Sequence, residues 1–114
     1  MRRELLLLRE MIDAADRIRE LIGETDIERL RSDSMRREAV LWNYTVLGEA
    51  ASQIPAEIRI AYPTIEWAQA TRLRNRIVHG YWDVDLYLLH GTATEDLPRM
   101  SERLRLLLDV LDQE

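Results

Sequence analysis

Between Leu73 and Trp82 the chain reads LRNRIVHGYW. Arg74, Arg76 and His79 fall within six positions there, and Tyr81 and Trp82 follow at once. Histidine is the side chain best suited to moving a proton near neutral pH. Arginine stabilises charge that builds on a transferring phosphoryl group. The pair suits cleavage of an RNA phosphodiester without a metal, because RNA carries its own nucleophile in the 2′-hydroxyl. Arg72, Arg74 and Arg76 make a local basic patch for phosphate. Tyr81 and Trp82 offer faces on which unpaired bases stack. A plainer reading stands beside this one, since histidine and arginine at a helix C-terminus also cap carbonyls and oppose the helix dipole.

Spacing alone leaves both readings open. Arg74 and His79 are five residues apart, about 140° around a regular helix, and would not converge on one. Asn75 and His79 are one turn apart and share a face. Gly80 is expected to end the helix and free His79 and Tyr81 to turn back along its axis. Asn75 would then hydrogen-bond the imidazole and fix its tautomer.

The elements that must position these residues follow from apolar periodicity. Leu5, Leu8, Met11, Ile12, Ala15, Ile18 and Ile22 mark a first helix over 4–22, stopped by Gly23. The stretch ETDIERLRSD reads as a loop with a short helical turn. Asp33 or Ser34 caps a second helix running to about Ile54, with Val40, Leu41, Tyr44, Leu47, Ala51 and Ile54 inward. Pro55 and Pro63 bracket one or two turns. Thr64 is expected to cap a helix from Ile65 to about Val78. Asp83 is expected to cap a last long helix from Val84 to about Leu111, kinked or briefly broken near Gly91 and Pro98. The expected fold is all-α, an up-down four- to five-helix bundle in one domain over 1–114.

Bulk properties narrow the function. The 114 residues contain no cysteine, so disulfides, thiolate metal sites and cysteine nucleophiles are excluded. With only His79 and His90, no metal site is expected. All sixteen basic residues are arginine, and the net charge is −5, so any nucleic-acid contact must be local. The apolar run after Arg2 and Arg3 ends after four leucines, and no membrane span is expected; the location expected is cytoplasmic. Trp42, Tyr44 and Trp67 are expected in the core or at an interface, and His90 as a partly buried packing residue. Glu49 and Glu57 stand as separate acids. Trp42, Tyr44, Trp67, Tyr81, Trp82 and Tyr87 are more aromatic surface than a small bundle hides, which points to a dimer.

Arg74-Asn75-Arg76-Ile77-Val78-His79-Gly80-Tyr81 fits the pattern R-x4-H-x-Y and resembles the HepT-like toxins of the HEPN ribonuclease superfamily. The longer run YPTIEWAQATRLRNRIVHGYWDVDLYLL and the upstream LGEAASQIPAEIR resemble the same family. The resemblance implies a HEPN-like homodimer with its two motifs facing each other. It implies a metal-independent endoribonuclease, the toxin of a toxin–antitoxin pair, with no bound cofactor. Arg74 would steady the scissile phosphate, and His79 would act as acid or base. The residue types and spacing, and not the resemblance, assign Asn75 to orienting His79 and Arg72, Arg76 and Trp82 to RNA contacts. The resemblance further implies a minimal nucleotidyltransferase antitoxin that transfers AMP onto Tyr81, putting charge and bulk at the phosphate site. The alternative is a non-catalytic helical adaptor that docks such a nucleotidyltransferase and its nucleotide.

Overall fold

A computed structural model describes residues 2–114. Its helices are α1 (Arg3–Ile22), α2 (Ile27–Ser32), α3 (Ser34–Gln53), α4 (Ala56–Ala61), α5 (Trp67–His79), α6 (Leu86–Gly91) and α7 (Leu97–Asp112). A 3-10 turn, Tyr81–Asp83, joins α5 to α6, and a π-helical turn, Thr92–Asp96, joins α6 to α7 without a break. No strand occurs among the described residues. The result is an all-α bundle of long helices, as the apolar periodicity requires.

The stripes on α1 and α3 meet as expected. Leu8, Met11, Ile18, Tyr44 and Leu47 are almost wholly buried, with Leu104 and Leu107 of α7 against them. α3 packs on α1 and α5, and α7 packs on α1. Polar ties hold the start of α5 and the turn before it to the π turn and α7: Gln69 Nε2 donates to Asp96 Oδ2 at 3.0 Å, and Arg103 donates to the Thr64 carbonyl at 2.7 Å. The Tyr44 hydroxyl, buried between α3 and α6, donates to the Leu89 carbonyl at 2.7 Å. Burial raises its pKa well above that of a free phenol, with a smaller push from Asp96.

Asp33 caps α3 by accepting from the Arg36 N–H at 3.1 Å. Two other caps differ from expectation. Thr64 does not cap α5, which begins after Glu66. The Trp67 N–H donates to the Ile65 carbonyl, and the Trp67 indole to the Tyr62 carbonyl, so a tight turn holds residues 62–66 out of the helix. Asp83 lies inside the 3-10 turn, and Asp85 caps α6 instead, accepting from the Leu88 N–H at 3.2 Å. The expected break near Gly91 and Pro98 is the π turn. Pro98 has no N–H for the preceding turn, and the wider spacing absorbs that loss, with the Leu97 N–H reaching the Thr92 carbonyl. His90 is half-buried, its Nε2 2.5 Å from the Thr25 carbonyl.

Tyr44 and Trp67 are buried, but Trp42 is 66% exposed. On α3 it stands one heptad from Met35 and one from Glu49, so the three form a single outward stripe.

Candidate active site

α5 carries the candidate residues, and Gly48 of α3 sets how closely that helix approaches. A methyl group at Gly48 would lie 2.2 Å from Arg74 Cβ and 2.5 Å from the Ala70 carbonyl oxygen. The two backbones meet there because one side chain is missing. This contact fixes the root of the Arg74 side chain.

The guanidinium of Arg74 is then held at both terminal nitrogens. Nη2 donates to Glu49 Oε2 at 2.7 Å, and Nη1 donates to Asn75 Oδ1 at 2.6 Å. Its Nε–H is buried and has no partner. An arginine has five N–H donors; with the buried Nε–H set aside, one on each terminal nitrogen remains for a ligand, in a plane fixed by neighbours. The Glu49 pairing has no counterpart in the sequence reading, which left Glu49 as an isolated acid. Gly48, at a helix–helix crossing and directly before an acid, is the signal that would have found it.

α5 ends at His79 as expected, with Gly80 closing it: the Gly80 N–H donates to the Arg76 carbonyl at 2.9 Å. His79 is exposed, and its ring makes no hydrogen bond among the described residues. Asn75 therefore differs from expectation, because its side-chain oxygen is turned to Arg74 and not to the imidazole. His79 lines a cleft of about 350 Å³ with Arg76, Asp83 and Asp85, against Leu88 and Leu89 of α6. Arg74 faces α3 while His79 faces α6. The chain bend at Gly80 does not bring the two together within one molecule.

Tyr81 and Trp82 occupy the 3-10 turn and are 46% and 88% exposed. They line a groove of about 530 Å³ against Arg31, Arg37, Glu38 and Leu41. Arg72, Arg76 and His79 are spaced i, i+4, i+7 and so run along one face of α5. Among the described residues no three His, Asp or Glu side chains gather as a metal-binding group. No helix among them is long and apolar enough to cross a membrane.

The family model described as Ribonuclease HepT-like matches residues 11–107, the whole span from mid-α1 to α7. The chain belongs to the HepT-like ribonuclease family. It is 31% identical to a probable ribonuclease HepT of Thermococcus cleftensis, over 86% of this chain and 92% of that protein. It is 26% identical to a putative RNase of Methanocaldococcus jannaschii, over 88% of this chain and 92% of the relative. A putative RNase of Caldanaerobacter subterraneus is 19% identical over 89% of this chain and 90% of that protein. No solved structure matches significantly. In this HepT-like chain the R-x4-H-x-Y residues all sit on α5 and the turn after it, at the solvent edge of the bundle.

Proposed function

We propose that this HepT-like ribonuclease is the toxin of a toxin–antitoxin pair, a metal-independent endoribonuclease acting as a homodimer. The observation that carries the reading is the clamped guanidinium of Arg74, one turn and a residue before a free imidazole at the end of the same helix. A cation held by Glu49 and Asn75 need not reorganise when charge develops on phosphate, which is where electrostatic catalysis gains most.

In the proposed reaction, neutral His79 takes the proton of a ribose 2′-hydroxyl. The 2′-oxygen attacks the adjacent phosphorus, and the P–O5′ bond breaks. The products are a 2′,3′-cyclic phosphate and a 5′-hydroxyl, the leaving oxygen taking a proton from an imidazolium. Arg74 donates to the non-bridging oxygens throughout. Arg72, Arg76 and Trp82 would hold the flanking nucleotides.

The dimer reading rests on where Arg74 stands. Its partner Glu49 shares the outward stripe of α3 with Trp42 and Met35, and Val78 on α5 is also exposed. Pairing two copies through this face would cover the aromatic and bring a second motif to the first, completing a site that one chain leaves open. Tyr81 would be the control point. Its exposed phenol oxygen would attack the α-phosphorus of ATP on a nucleotidyltransferase, releasing pyrophosphate and leaving an AMP group beside the arginines.

The test is a gel assay of single-stranded RNA with EDTA present. Wild type is expected to cleave, and His79→Ala and Arg74→Ala to lose cleavage while remaining folded dimers. Pure wild type that cleaves nothing, or variants that cleave as well as it does, would sink the proposal and favour an adaptor. Intact mass after incubation with the nucleotidyltransferase and ATP should rise by whole AMP units in wild type and not in Tyr81→Phe.

A further inference from the structure

The chain has sixteen arginines and a net charge of −5, so acids are plentiful enough to neutralise every one. Twelve of the arginines, all among the described residues, are engaged through their side chains in ion pairs or hydrogen bonds. The exceptions are Arg17, Arg59, Arg72 and Arg76, for which neither kind of partner occurs. Three of these four are not scattered. Arg76 shares the cleft of His79, and Arg72 lies one turn earlier on the same face of α5. Arg59, on α4, lines one depression of about 630 Å³ together with Arg72.

The acids around that depression are already occupied. Glu66 and Asp96 both line it, and both accept from Arg99, at 3.1 and 3.5 Å. Both acids turn to Arg99, and neither forms an ion pair with Arg59 or Arg72 at the rim. Three of the four free guanidiniums lie along one line, on a chain of opposite net charge, and that line suits an anion that comes and goes.

We propose that the depression between α4 and α5 is a backbone subsite for single-stranded RNA, in which Arg59 and Arg72 each take a phosphate upstream or downstream of the scissile bond. The strand would leave His79, pass Arg76 and Arg72 along α5, and reach Arg59. This rests on the ribonuclease reading and names a residue, Arg59, outside the motif and its helix. Guanidiniums suit the role because they bind phosphate oxygens in pairs. Nothing in the subsite reads a base edge, so it would add affinity and length dependence without sequence preference. An acidic partner protein is the competing occupant; continuity with His79 favours RNA.

The test uses the full-length His79→Ala protein and fluorescein-labelled 2′-O-methyl oligonucleotides of increasing length, read by fluorescence anisotropy. Affinity is expected to rise with length until the strand spans the depression. Adding Arg59→Glu should cost the longer strands about tenfold in Kd and lower the salt dependence of binding by about one phosphate contact. Arg72→Glu should do the same. Arg17→Glu, which changes the charge equally on α1, is the control and should leave the length dependence intact. The proposal is overturned if Arg59→Glu binds long strands within twofold of its parent with an unaltered salt slope. It is overturned equally if that variant loses only the nucleotidyltransferase partner. RNA binding that depends on Arg59, in a wild type that never cleaves, would remove the ribonuclease reading and leave the subsite standing.

Discussion

Gly48→Ala sets two effects of known size against each other. Alanine is the better helix former by about 1 kcal/mol, so an exposed mid-helix glycine would gain from the change. Gly48 is buried against α5, and its new methyl would stand 2.2 Å from Arg74 Cβ and 2.5 Å from the Ala70 carbonyl oxygen. Non-bonded carbons rest at roughly 3.5–4.0 Å, so the helices must part by more than about 1 Å. One of the opposing atoms is backbone, so no rotamer change relieves it. Overpacking of this kind costs about 1–3 kcal/mol, and a backbone clash belongs at the upper end. The net expectation is a loss of about 2 kcal/mol, which for a domain of this size lowers the thermal midpoint by roughly 10 °C. Activity should fall further than stability, since a displacement near 1 Å at a catalytic group costs on the order of 100-fold. Circular-dichroism melts at fixed protein concentration and single-turnover RNA cleavage on the same sample read both numbers. A Gly48→Ala protein as stable as wild type and fully active would refute the reasoning, because helix propensity would then have won at a contact that cannot be as close as described.

Glu49→Gln removes the charge that holds Arg74 Nη2. Both side chains are well over a quarter exposed, so the stability loss should stay under about 1 kcal/mol. RNA cleavage should nevertheless drop about tenfold or more as the guanidinium loses its fixed plane; an unchanged rate in a stopped assay would show that Glu49 plays no positioning part. Tyr44→Phe removes one of two donors to the Leu89 carbonyl, which keeps the Thr92 N–H, and should cost about 0.5–1.5 kcal/mol in urea unfolding at pH 7. The pH dependence has a definite sign. Burial raises the folded phenol's pKa above its unfolded value, so this stabilisation is complete below about pH 10 and is lost as pH climbs above it. Wild type should therefore weaken more steeply than Tyr44→Phe in alkaline urea titrations, and parallel curves would contradict that assignment.

The long helices were legible because one apolar stripe on each is enough to place it. The α3 stripe of Val40, Leu41, Tyr44 and Leu47 even leaves Trp42 on the far side of the wheel, so its exposure could have been read from position alone. The caps at Thr64 and Asp83 were misplaced by two residues each. Short polar residues crowd both junctions, and what decides between them is a turn closed by the Trp67 indole in one case and a 3-10 turn in the other. The candidate residues were legible as types, but not their pairings. Glu49 is 25 positions from Arg74, and no local period connects them. Asn75 was assigned to the nearer titratable neighbour on its own helix face, whereas the adjacent guanidinium competes better for a side-chain carbonyl.

Arg74 and His79 point to different sides of α5, and this has a consequence that distinguishes a site shared between two chains from a site within one. Suppose each site takes Arg74 from one protomer and His79 from its partner. An isologous dimer then holds two equivalent sites. A heterodimer of Arg74→Ala with His79→Ala would have one site lacking both groups and one site lacking neither. Random mixing makes half of the dimers mixed, each with one of two sites intact, so two dead proteins should together recover about a quarter of wild-type cleavage. Were the two residues to act within one chain, every site in the mixture would lack one of them, and activity would stay at zero. The proteins are unfolded together, refolded to exchange subunits, and assayed against each variant refolded alone. Recovery near a quarter requires both a dimer and a crossed site. No recovery, from a mixture shown by native mass spectrometry to contain heterodimers, would put Arg74 and His79 of one chain on the same phosphate and require α5 to unwind near Gly80 when RNA binds.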